Sequence, residues 1–409
     1  MKLKNNLILI IICFPLCLPI IIFASETIYT SLLKQSAIEN GFMKSEDINM
    51  PFNKIKADIG EKLFEDTILS FNSNTSCSSC HVDKFSSTDG LPVAFGVGSE
   101  GEGSERVKKD GKIVPRNALP LWGRGGKDFN TFFWDGKVTL DKDGNISSQF
   151  LDSPPSNDPL IVAVHLPFVA IREMIEDNHE ISELYKNENI NSAFKIYDQL
   201  INKINNESSY GVELAKIYDI STDEVSFFHV ADSIANFIRS KFAIKKTPFE
   251  NFVFDDLKLN EEQIRGGLTF YGKGKCSSCH SGKYFSDLNF HSLPMLQLGF
   301  GENGFGDDYG RFNMTDNYND LYKFRTPPLY NVVKTGPYSH SGNYYDLKEV
   351  IRAHYDPLKN FDSSKYTEEE RIGFFKRIKY SSIKPSELNY LDEKELEDLV
   401  EFLKLLSFD

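Results

Sequence analysis

The sequence predicts a mainly α-helical protein built of two similar helical units with long irregular loops. Three observations support this fold class. Apolar residues recur at helical spacing in several segments, whereas the alternation typical of strands is scarce. The motif Cys-Ser-Ser-Cys-His occurs twice, at residues 77–81 and 276–280. Gly, Asn, Asp and Pro are frequent in residues 96–130, 141–158 and 299–320, which we predict to be loops.

Helices are predicted in three segments whose apolar residues share one face, namely 223–242, 346–354 and 392–406. Two further stretches, 59–64 and 265–271, resemble each other, and each precedes one copy of the motif. Asn260, followed by Glu, Glu and Gln, is a good start for the second of these helices. The chain therefore resembles an internal duplication too degenerate to count as a repeat array.

The first 25 residues have the pattern of a secretory signal peptide. Two lysines precede an apolar run over residues 7–23, and the small residues Ala24 and Ser25 end it. The alternative is a membrane anchor that stays attached, but Pro15 and Pro19 interrupt the run and disfavour a stable spanning helix. We expect residues 1–25 to be removed and the mature chain to be exported to the periplasm.

The remaining length suggests two domains of ordinary size, which we predict at residues 26–242 and 243–409. The boundary is expected within residues 242–258, where a Lys-Lys-Thr-Pro sequence interrupts a helix. The formal net charge of −13 becomes −15 without the two lysines of the signal segment. Such an acidic chain disfavours nucleic acid and anionic lipid as partners and favours a basic protein.

Every cysteine beyond the signal segment belongs to one of the two motifs. These cysteines are Cys77, Cys80, Cys276 and Cys279. In an exported chain the alternatives for two such pairs are disulfides, one shared zinc site or two thioredoxin-like redox motifs. None of these alternatives explains a histidine directly after both pairs.

Cys-x-x-Cys-His is the attachment signature of c-type haem. Two thiols must reach the two vinyl groups on one edge of the porphyrin, and the next side chain turns under the ring to bind iron. We therefore predict two covalently bound haem c groups with His81 and His280 as proximal ligands. We therefore predict that the two helical units are cytochrome c-like haem domains.

Residues 96–101 match the dinucleotide fingerprint Gly-x-Gly-x-x-Gly. That fingerprint requires a strand before it, a helix after it and room for pyrophosphate. Glu100, Glu102 and Glu105 would repel phosphate, and no helix signal follows closely. We interpret the segment as a loop.

Several further segments together resemble the bacterial di-haem cytochrome c peroxidase/MauG family. In chain order these segments are Leu63-Phe64, Pro115-Arg116-Asn117, residues 133–136 (Phe-Trp-Asp-Gly), Arg172-Glu173-Met174, residues 335–342 (Thr-Gly-Pro-Tyr-Ser-His-Ser-Gly) and residues 346–350. They follow the order of the family and span nearly all of the mature chain. The resemblance implies a peroxidatic N-terminal haem, a C-terminal haem that receives electrons, and often a homodimer.

The resemblance assigns catalytic roles to two residues. Glu173 matches the glutamate above the peroxidatic iron, and a positioned carboxyl can move a proton between the oxygens of peroxide. On the residues alone, Glu173 would be an ordinary helix-surface acid. Trp134 matches the tryptophan that relays electrons between the haems, although a large core aromatic is the simpler reading.

The resemblance also implies a calcium ion at the domain interface. Asn117 matches the family's ligand, joined by main-chain oxygens near Thr335 and Pro337. Oxygen ligands of this kind suit calcium. The alternative is that Asn117 makes ordinary turn hydrogen bonds.

The chain departs from the family pattern at the first haem. Many peroxidases of the family place a second histidine sixteen residues after the attachment histidine, where this chain has Val97. No histidine occurs between His81 and His165. We therefore expect a five-coordinate haem that needs no activation, and His165 is the one nearby residue that would contradict this as a ligand or distal-pocket group.

A second departure concerns the sixth ligand of the C-terminal haem. Fourteen residues after His340 the peroxidases place methionine and MauG-like members place tyrosine, whereas this chain has His354. Bis-histidine ligation lowers the potential relative to His/Met ligation. Tyr355, Met295 and Met314 are the alternative ligands. The remaining histidines, His179, His229 and His291, belong to no motif and are interpreted as structural.

Three functions follow in order of preference. The first is a periplasmic peroxidase that reduces hydrogen peroxide with electrons from a small cytochrome c or cupredoxin. The second is a MauG-like enzyme that oxidises Trp or Tyr of a partner protein, which both departures favour. The third is a plain electron-transfer di-haem cytochrome, which would require six-coordinate iron at both sites.

Overall fold

The computed structural model describes residues 17–108, 111–151, 153–175, 190–297, 299–302, 306–359, 361–382 and 389–409. His179 and most of the predicted signal peptide lie outside these residues. The protein is mainly helical, as predicted. The α-helices are α1 (Cys17–Glu39), α2 (Ser45–Ile48), α3 (Lys54–Glu65), α4 (Pro159–His165), α5 (Ile190–Glu207), α6 (Tyr210–Tyr218), α7 (Phe227–Lys241), α8 (Pro248–Phe254), α9 (Glu261–Tyr271), α10 (Phe312–Thr315), α11 (Leu347–Tyr355), α12 (Glu368–Lys379) and α13 (Glu393–Lys404).

The strands are short, and each one pairs antiparallel with a neighbouring strand of its own small sheet. They are β1 (Ala94–Phe95), β2 (Ile113–Val114), β3 (Thr131–Phe132), β4 (Val138–Leu140), β5 (Ile146–Ser148), β6 (Phe290–Ser292) and β7 (Lys323–Arg325). They form three small sheets, β1-β2, β3-β4-β5 and β6-β7. Residues 96–101 follow β1 and form turns and bends, so they are a loop rather than a dinucleotide-binding turn.

Two of the predicted helices begin just after the first residue of their predicted range, because that acidic residue is the N-cap. Asp346 and Asp392 are N-caps whose carboxylates accept from the backbone N–H groups of Lys348 and Glu395. Asn260 caps α9 in the same way, as predicted. The segment predicted at 223–242 is helical only from Phe227, after a short 3₁₀ turn.

Two close helix pairs give the fold its internal symmetry. Helix α3 packs on α7 and α9 packs on α13, and α3 and α9 each lead to one Cys-x-x-Cys-His motif. A Cβ at Gly60 would lie 2.0 Å from the carbonyl oxygen of Ser233, and one at Gly266 would lie 1.9 Å from that of Asp398. Both crossings therefore depend on glycine, since only a residue without a side chain lets the backbones touch.

Helix α1 and the turn after it pack on the second half of the chain. Leu33 is fully buried, and its methyl groups lie beside Gly267 of α9. The backbone N–H of Gly282 donates to the carbonyl of Asn40 over 2.7 Å. Phe42 packs on Phe249 and Phe285 at centroid distances of 5.0 and 5.3 Å. The predicted division at residue 242 stays a prediction, and the N-terminal segment contributes to the core of the other unit.

Candidate di-haem centre

The two Cys-x-x-Cys-His motifs adopt the same backbone turn. Each forms a 3₁₀ turn, Cys77–Ser79 and Cys276–Ser278. The histidine N–H that follows donates to the carbonyl of the first cysteine, over 3.0 Å at His81 and 2.8 Å at His280. In both motifs this turn places the two cysteines and the histidine on one short, hydrogen-bonded backbone segment.

All four cysteines of the motifs are free thiols, so neither pair is a disulfide. Among the described residues the two pairs do not come together as a metal cluster, which removes the shared zinc site. Burial raises the pKa of Cys77, Cys80 and Cys276 to about 12. These three buried thiols are therefore held in their protonated form, the form in which a thiol adds across a vinyl group.

The two attachment histidines are held in the tautomer that binds iron. Nδ1 of His81 lies 2.9 Å from the carbonyl of Ser87, and Nδ1 of His280 lies 3.0 Å from that of Phe285. Because a carbonyl only accepts, Nδ1 carries the proton and Nε2 keeps its lone pair. Burial lowers the pKa of both imidazoles to about 4, so both are neutral ligands at pH 7.

The first site brings Glu173 to the attachment cysteines. After burial, the charge of Glu173 is the next cause that raises the pKa of Cys77. A neighbouring loop fixes the segment: the N–H of Val97 donates to the carbonyl of Arg172 over 3.0 Å. A Cβ at Gly96 would lie 1.8 Å from that same oxygen. Loop 96–101 thus holds the backbone of the segment that carries Glu173.

Burial also raises the pKa of Glu173 itself, and the charge of Lys137 opposes that rise. Lys137 forms an ion pair with Glu302, which also pairs with the buried Arg116. The carboxyl of Glu173 therefore lies near one cation that is already committed to another acid. Such a group retains its proton to a higher pH than an exposed glutamate does.

His165 lies in an aromatic cluster of its own. Its Nδ1 donates to the carbonyl of Ile161 over 2.7 Å, and its ring packs edge-on against Tyr197 and Phe227. Burial lowers its pKa to about 4. These contacts make it a satisfied core histidine and leave no described contact with the motif at residues 77–81.

The second site is a largely apolar cavity of about 240 Å³. Its lining includes Cys276, Cys279, His280, Trp134 and His354, residues that are far apart in the sequence. Such a cavity, with neutral imidazoles and an attachment turn in its wall, fits a covalently bound haem.

His354 lines this cavity together with His280. Its Nδ1 lies 2.7 Å from the carbonyl of Val350, which again leaves Nε2 free. After burial, the charge of His354 is the largest cause that lowers the pKa of His280, which reflects how near the two rings are. Tyr355 and Met295 also line the cavity, but the Tyr355 hydroxyl donates to the carbonyl of Leu391. Met314 lies in α10 and is not part of the lining.

Trp134 is buried between the two halves of the chain. Its indole N–H donates to the carbonyl of Asn117 over 2.9 Å. The N–H of Asn117 in turn donates to the carbonyl of His340 over 2.7 Å. Asn117, Thr335 and Pro337 all line the second cavity. The side-chain amide of Asn117 donates to the carbonyl of Leu91 over 2.8 Å, so the calcium site stays a prediction.

Two residues near the second site escaped sequence reasoning. His291, which belongs to no motif, lines the cavity with Nε2 2.8 Å from a carboxylate oxygen of Asp287. Hydrogen bonds to Asp287 and then to Cys279 raise the pKa of His291 to about 10. The one sequence signal for this pair is the spacing Asp-x-x-x-His shortly after an attachment motif.

Comparison with known proteins agrees with this arrangement. The chain is 26% identical to the methylamine utilization protein MauG of Methylorubrum extorquens over 94% of this chain and 88% of that one. It is 24% identical to the cytochrome c peroxidase Ccp of Escherichia coli over 74% of this chain, but the match spans only 53% of that protein. The diheme peroxidase BthA of Burkholderia thailandensis shares the fold, with a TM-score of 0.62 at 17% identity, over 90% of this chain and 89% of that one.

A family model described as di-haem cytochrome c peroxidase matches residues 54–258, half of the chain. The matched region runs from the start of α3, ahead of the first attachment motif, past Trp134 and Glu173 to the start of the second unit. The chain therefore belongs to the di-haem cytochrome c peroxidase family, whose members are peroxidase-type oxidoreductases with two haem c groups.

Proposed function

We propose that the protein is a periplasmic peroxidase that reduces hydrogen peroxide to two water molecules, consuming two electrons and two protons. The observation that carries this proposal is Glu173, a carboxyl with a raised pKa that a neighbouring loop holds beside the first attachment motif. The haem attached there supplies the iron that binds peroxide and the electrons that cleave it. The chain supplies Glu173 as the proton donor and loop 96–101 as the restraint on the position of its backbone.

The role of Glu173 follows from its environment. A carboxyl that retains its proton can deliver it to the leaving oxygen as the bond breaks and can recover a proton afterwards. Lys137 keeps the carboxylate form accessible, because its charge favours the ionised state. Val97, an apolar residue at the position where many relatives carry a histidine, supports an open coordination site that needs no reductive activation.

We propose that electrons reach the first site from the haem held by His280 and His354, with Trp134 as the relay. Trp134 lines the second cavity and hydrogen-bonds to Asn117. Trp134→Phe should slow oxidation of the second haem after peroxide addition, while the initial reaction at the first haem keeps its rate. The other tryptophan, Trp122, provides the matched control as Trp122→Phe, since its indole donates to Ser86 near the first motif. Equal slowing in both variants would remove the relay role.

A calcium ion between the units is part of the proposal. Asn117, Thr335 and Pro337 line the same cavity, and the side-chain oxygen of Asn117 with the main-chain oxygens of the other two would supply the neutral oxygen ligands that calcium accepts. One calcium per chain is expected by elemental analysis, and chelation is expected to slow electron transfer between the haems. A chelator-treated protein with unchanged kinetics and no bound calcium in the starting sample would refute this.

The deciding measurement is an optical and electron paramagnetic resonance spectrum of the oxidised holoprotein before and after one equivalent of peroxide. A mixture of high-spin and low-spin haem, with the high-spin signal lost at once, is expected. Two low-spin haems that do not react with peroxide would instead indicate an electron-transfer cytochrome.

A second candidate is a MauG-like enzyme that oxidises Trp or Tyr of a partner protein, favoured by the non-methionine residue His354 in the same cavity as His280. Steady-state turnover with reduced cytochrome c separates the two. Rapid turnover supports the peroxidase, whereas slow turnover with a long-lived oxidised state of both haems supports the MauG-like reaction.

A further inference from the structure

Two buried arginines without acidic partners lie between the two attachment sites. Arg325 is fully buried and Arg124 is 7% exposed. Backbone carbonyls accept from part of each guanidinium: Nε of Arg124 donates to Pro120 over 2.9 Å, and Nε of Arg325 donates to Phe133 over 3.0 Å. Nη2 of each has no partner. Neither arginine forms an ion pair with any residue that the structure describes.

The two arginines are also near each other. Their guanidinium carbons lie 5.8 Å and 5.5 Å from the centre of the Phe129 ring. Burial, and then the charge of Arg124, lower the pKa of Arg325. Burial lowers that of Arg124 to about 10. Two neighbouring cations removed from water carry a large desolvation cost unless an anion joins them.

Among the described residues, three other arginines are buried, and each is satisfied within the chain. Arg106 donates through all three guanidinium nitrogens to the backbone carbonyls of Phe95, Gly96 and Gly101, whereas Arg116 and Arg377 bind acids. Arg116 binds both oxygens of Asp308, at 2.7 and 2.9 Å, and one oxygen of Asp135 at 2.6 Å. Arg377 binds Asp307 over 2.8 Å. The contrast indicates that Arg124 and Arg325 are built for an acid that the chain itself does not provide.

Their positions indicate which acid. Arg325 lines the second cavity beside His280, and its backbone N–H donates to the carbonyl of Trp134 over 2.7 Å. Arg124 is near enough to His81 that its charge lowers the pKa of that imidazole, after burial as the main cause. A planar guanidinium is matched to a carboxylate, and the carboxylates that enter such cavities with a haem are its propionates.

We propose that Arg124 and Arg325 form a propionate clamp between the haems. Arg325 pairs with a propionate of the haem held by His280, and Arg124 pairs with a propionate of the haem held by His81. The clamp holds the two acidic edges side by side next to Trp134, in spite of their like charge. The inference rests on the proposed haem binding and adds to it the residues that set the separation and potentials of the two groups.

The test uses the holoprotein with Arg325→Gln, Arg124→Gln and the charge-preserving Arg325→Lys. Each haem is titrated potentiometrically, and redox-difference infrared spectra follow the propionate carboxylate bands. Removing a cation leaves a propionate charge uncompensated, which favours ferric iron. Arg325→Gln should therefore lower the potential of the second haem by at least about 59 mV, equivalent to a tenfold change in a one-electron equilibrium. Arg124→Gln should do the same to the first haem.

The control is Arg371→Gln, because Arg371 is bonded to the backbone carbonyls of Ser363 and Tyr366 and lies outside the cavity lining. Arg325→Lys should keep the potential near that of the parent while shifting the carboxylate bands. If Arg325→Gln does not fold, the lysine variant and Arg124→Gln decide in its place. Unchanged potentials and unchanged carboxylate bands would overturn the clamp.

Haem content separates this proposal from the proposed function. A pyridine haemochrome assay should give two haems per chain in the parent and in each variant, since attachment depends on the cysteines. A parent protein without haem would refute the proposed function and the clamp with it. Two attached haems whose potentials ignore both arginines would refute the clamp alone.

Discussion

At the scale of one side chain, Glu173 shows how burial changes the protonation of a carboxyl group. Burial raises its pKa, so its ionised form is disfavoured in the folded protein. For an acid whose folded pKa lies above the unfolded value, the cost is absent at low pH and grows as the pH rises through the unfolded pKa. If Glu173 is the proton donor that we propose, the raised pKa that helps it keep the proton also costs stability once the pH exceeds the unfolded pKa.

Glu173→Gln removes that cost together with the proton donor. We expect the holoprotein variant to be at least as stable to denaturant at pH 7 as the parent, with the gain fading towards pH 4. The bimolecular rate constant with peroxide should fall by roughly 10²–10⁴-fold. Stopped-flow absorbance and denaturant unfolding at several pH values measure both effects. The exposed Glu46→Gln is the control, and a variant that is less stable yet fully reactive would contradict the assignment.

His354 sets the character of the second haem in this proposal. Its Nδ1 donates to the carbonyl of Val350, and the residue lines the same cavity as His280, so the hydrogen bond fixes the imidazole independently of a haem. A neutral imidazole stabilises ferric iron more than a thioether does. With His354 as the sixth ligand, the second haem would have a lower potential than a His/Met haem.

His354→Met should raise the midpoint potential of the second haem, and the thioether-to-iron charge-transfer band should appear in the oxidised optical spectrum. Met295→Leu, in the same cavity wall, serves as the matched control because it removes a thioether without removing the imidazole. If Met295→Leu changes the ligation spectrum and His354→Met does not, Met295 is the sixth ligand instead.

At the scale of secondary structure, α1 belongs to the N-terminal part of the chain but packs on the second unit. Its described side chains begin just after the predicted cleavage point near residue 25, and Leu33 fits against α9. No helix among the described residues has the length and apolarity needed to span a membrane. Helix α1 thus begins within the predicted signal segment, and its part beyond residue 25 packs on the second unit.

Leu33→Ala should destabilise the holoprotein by about 2–5 kcal/mol, because a fully buried leucine leaves a cavity that the surroundings fill only partly. Leu32 is 47% exposed on the same helix, so Leu32→Ala is the matched control and should change the free energy of unfolding little. Urea unfolding monitored at the Soret band measures the change. Equal effects of the two substitutions would contradict the packing of α1 on α9.

At the scale of the whole molecule, the formal net charge of −13 is the property most relevant to partners. An acidic surface attracts a basic donor over distances comparable to the Debye length, about 10 Å at 0.1 M salt. Electrostatic steering of this kind acts mainly on the association rate.

The second-order rate constant for oxidation of a basic cytochrome c should therefore fall steeply between low and physiological ionic strength. The rate with peroxide, a neutral molecule, should not change. Steady-state turnover at several salt concentrations tests this, with an acidic cytochrome c as the comparison donor. A rate that is independent of salt for the basic donor would exclude electrostatic steering.

The sequence alone determined the features that depend on neighbouring residues. Two thiols and an imidazole in five residues predict covalent haem attachment from the local sequence alone, and the backbone turn that both motifs share is equally local. The same holds for the helix starts, where Asp346 and Asp392 act on backbone groups three or fewer residues away.

Only the tertiary structure decided which distant residues meet. The sequence did not indicate that α1 packs on the second unit, that His291 lies beside Cys279, or that Arg116 finds Asp308 while Arg124 and Arg325 find no acid. The physical reason is that the partner of a buried charge depends on how helices and loops converge, and not on the residues beside it in the chain. Attachment chemistry is local and readable in the sequence, whereas the environment that tunes it is created by packing.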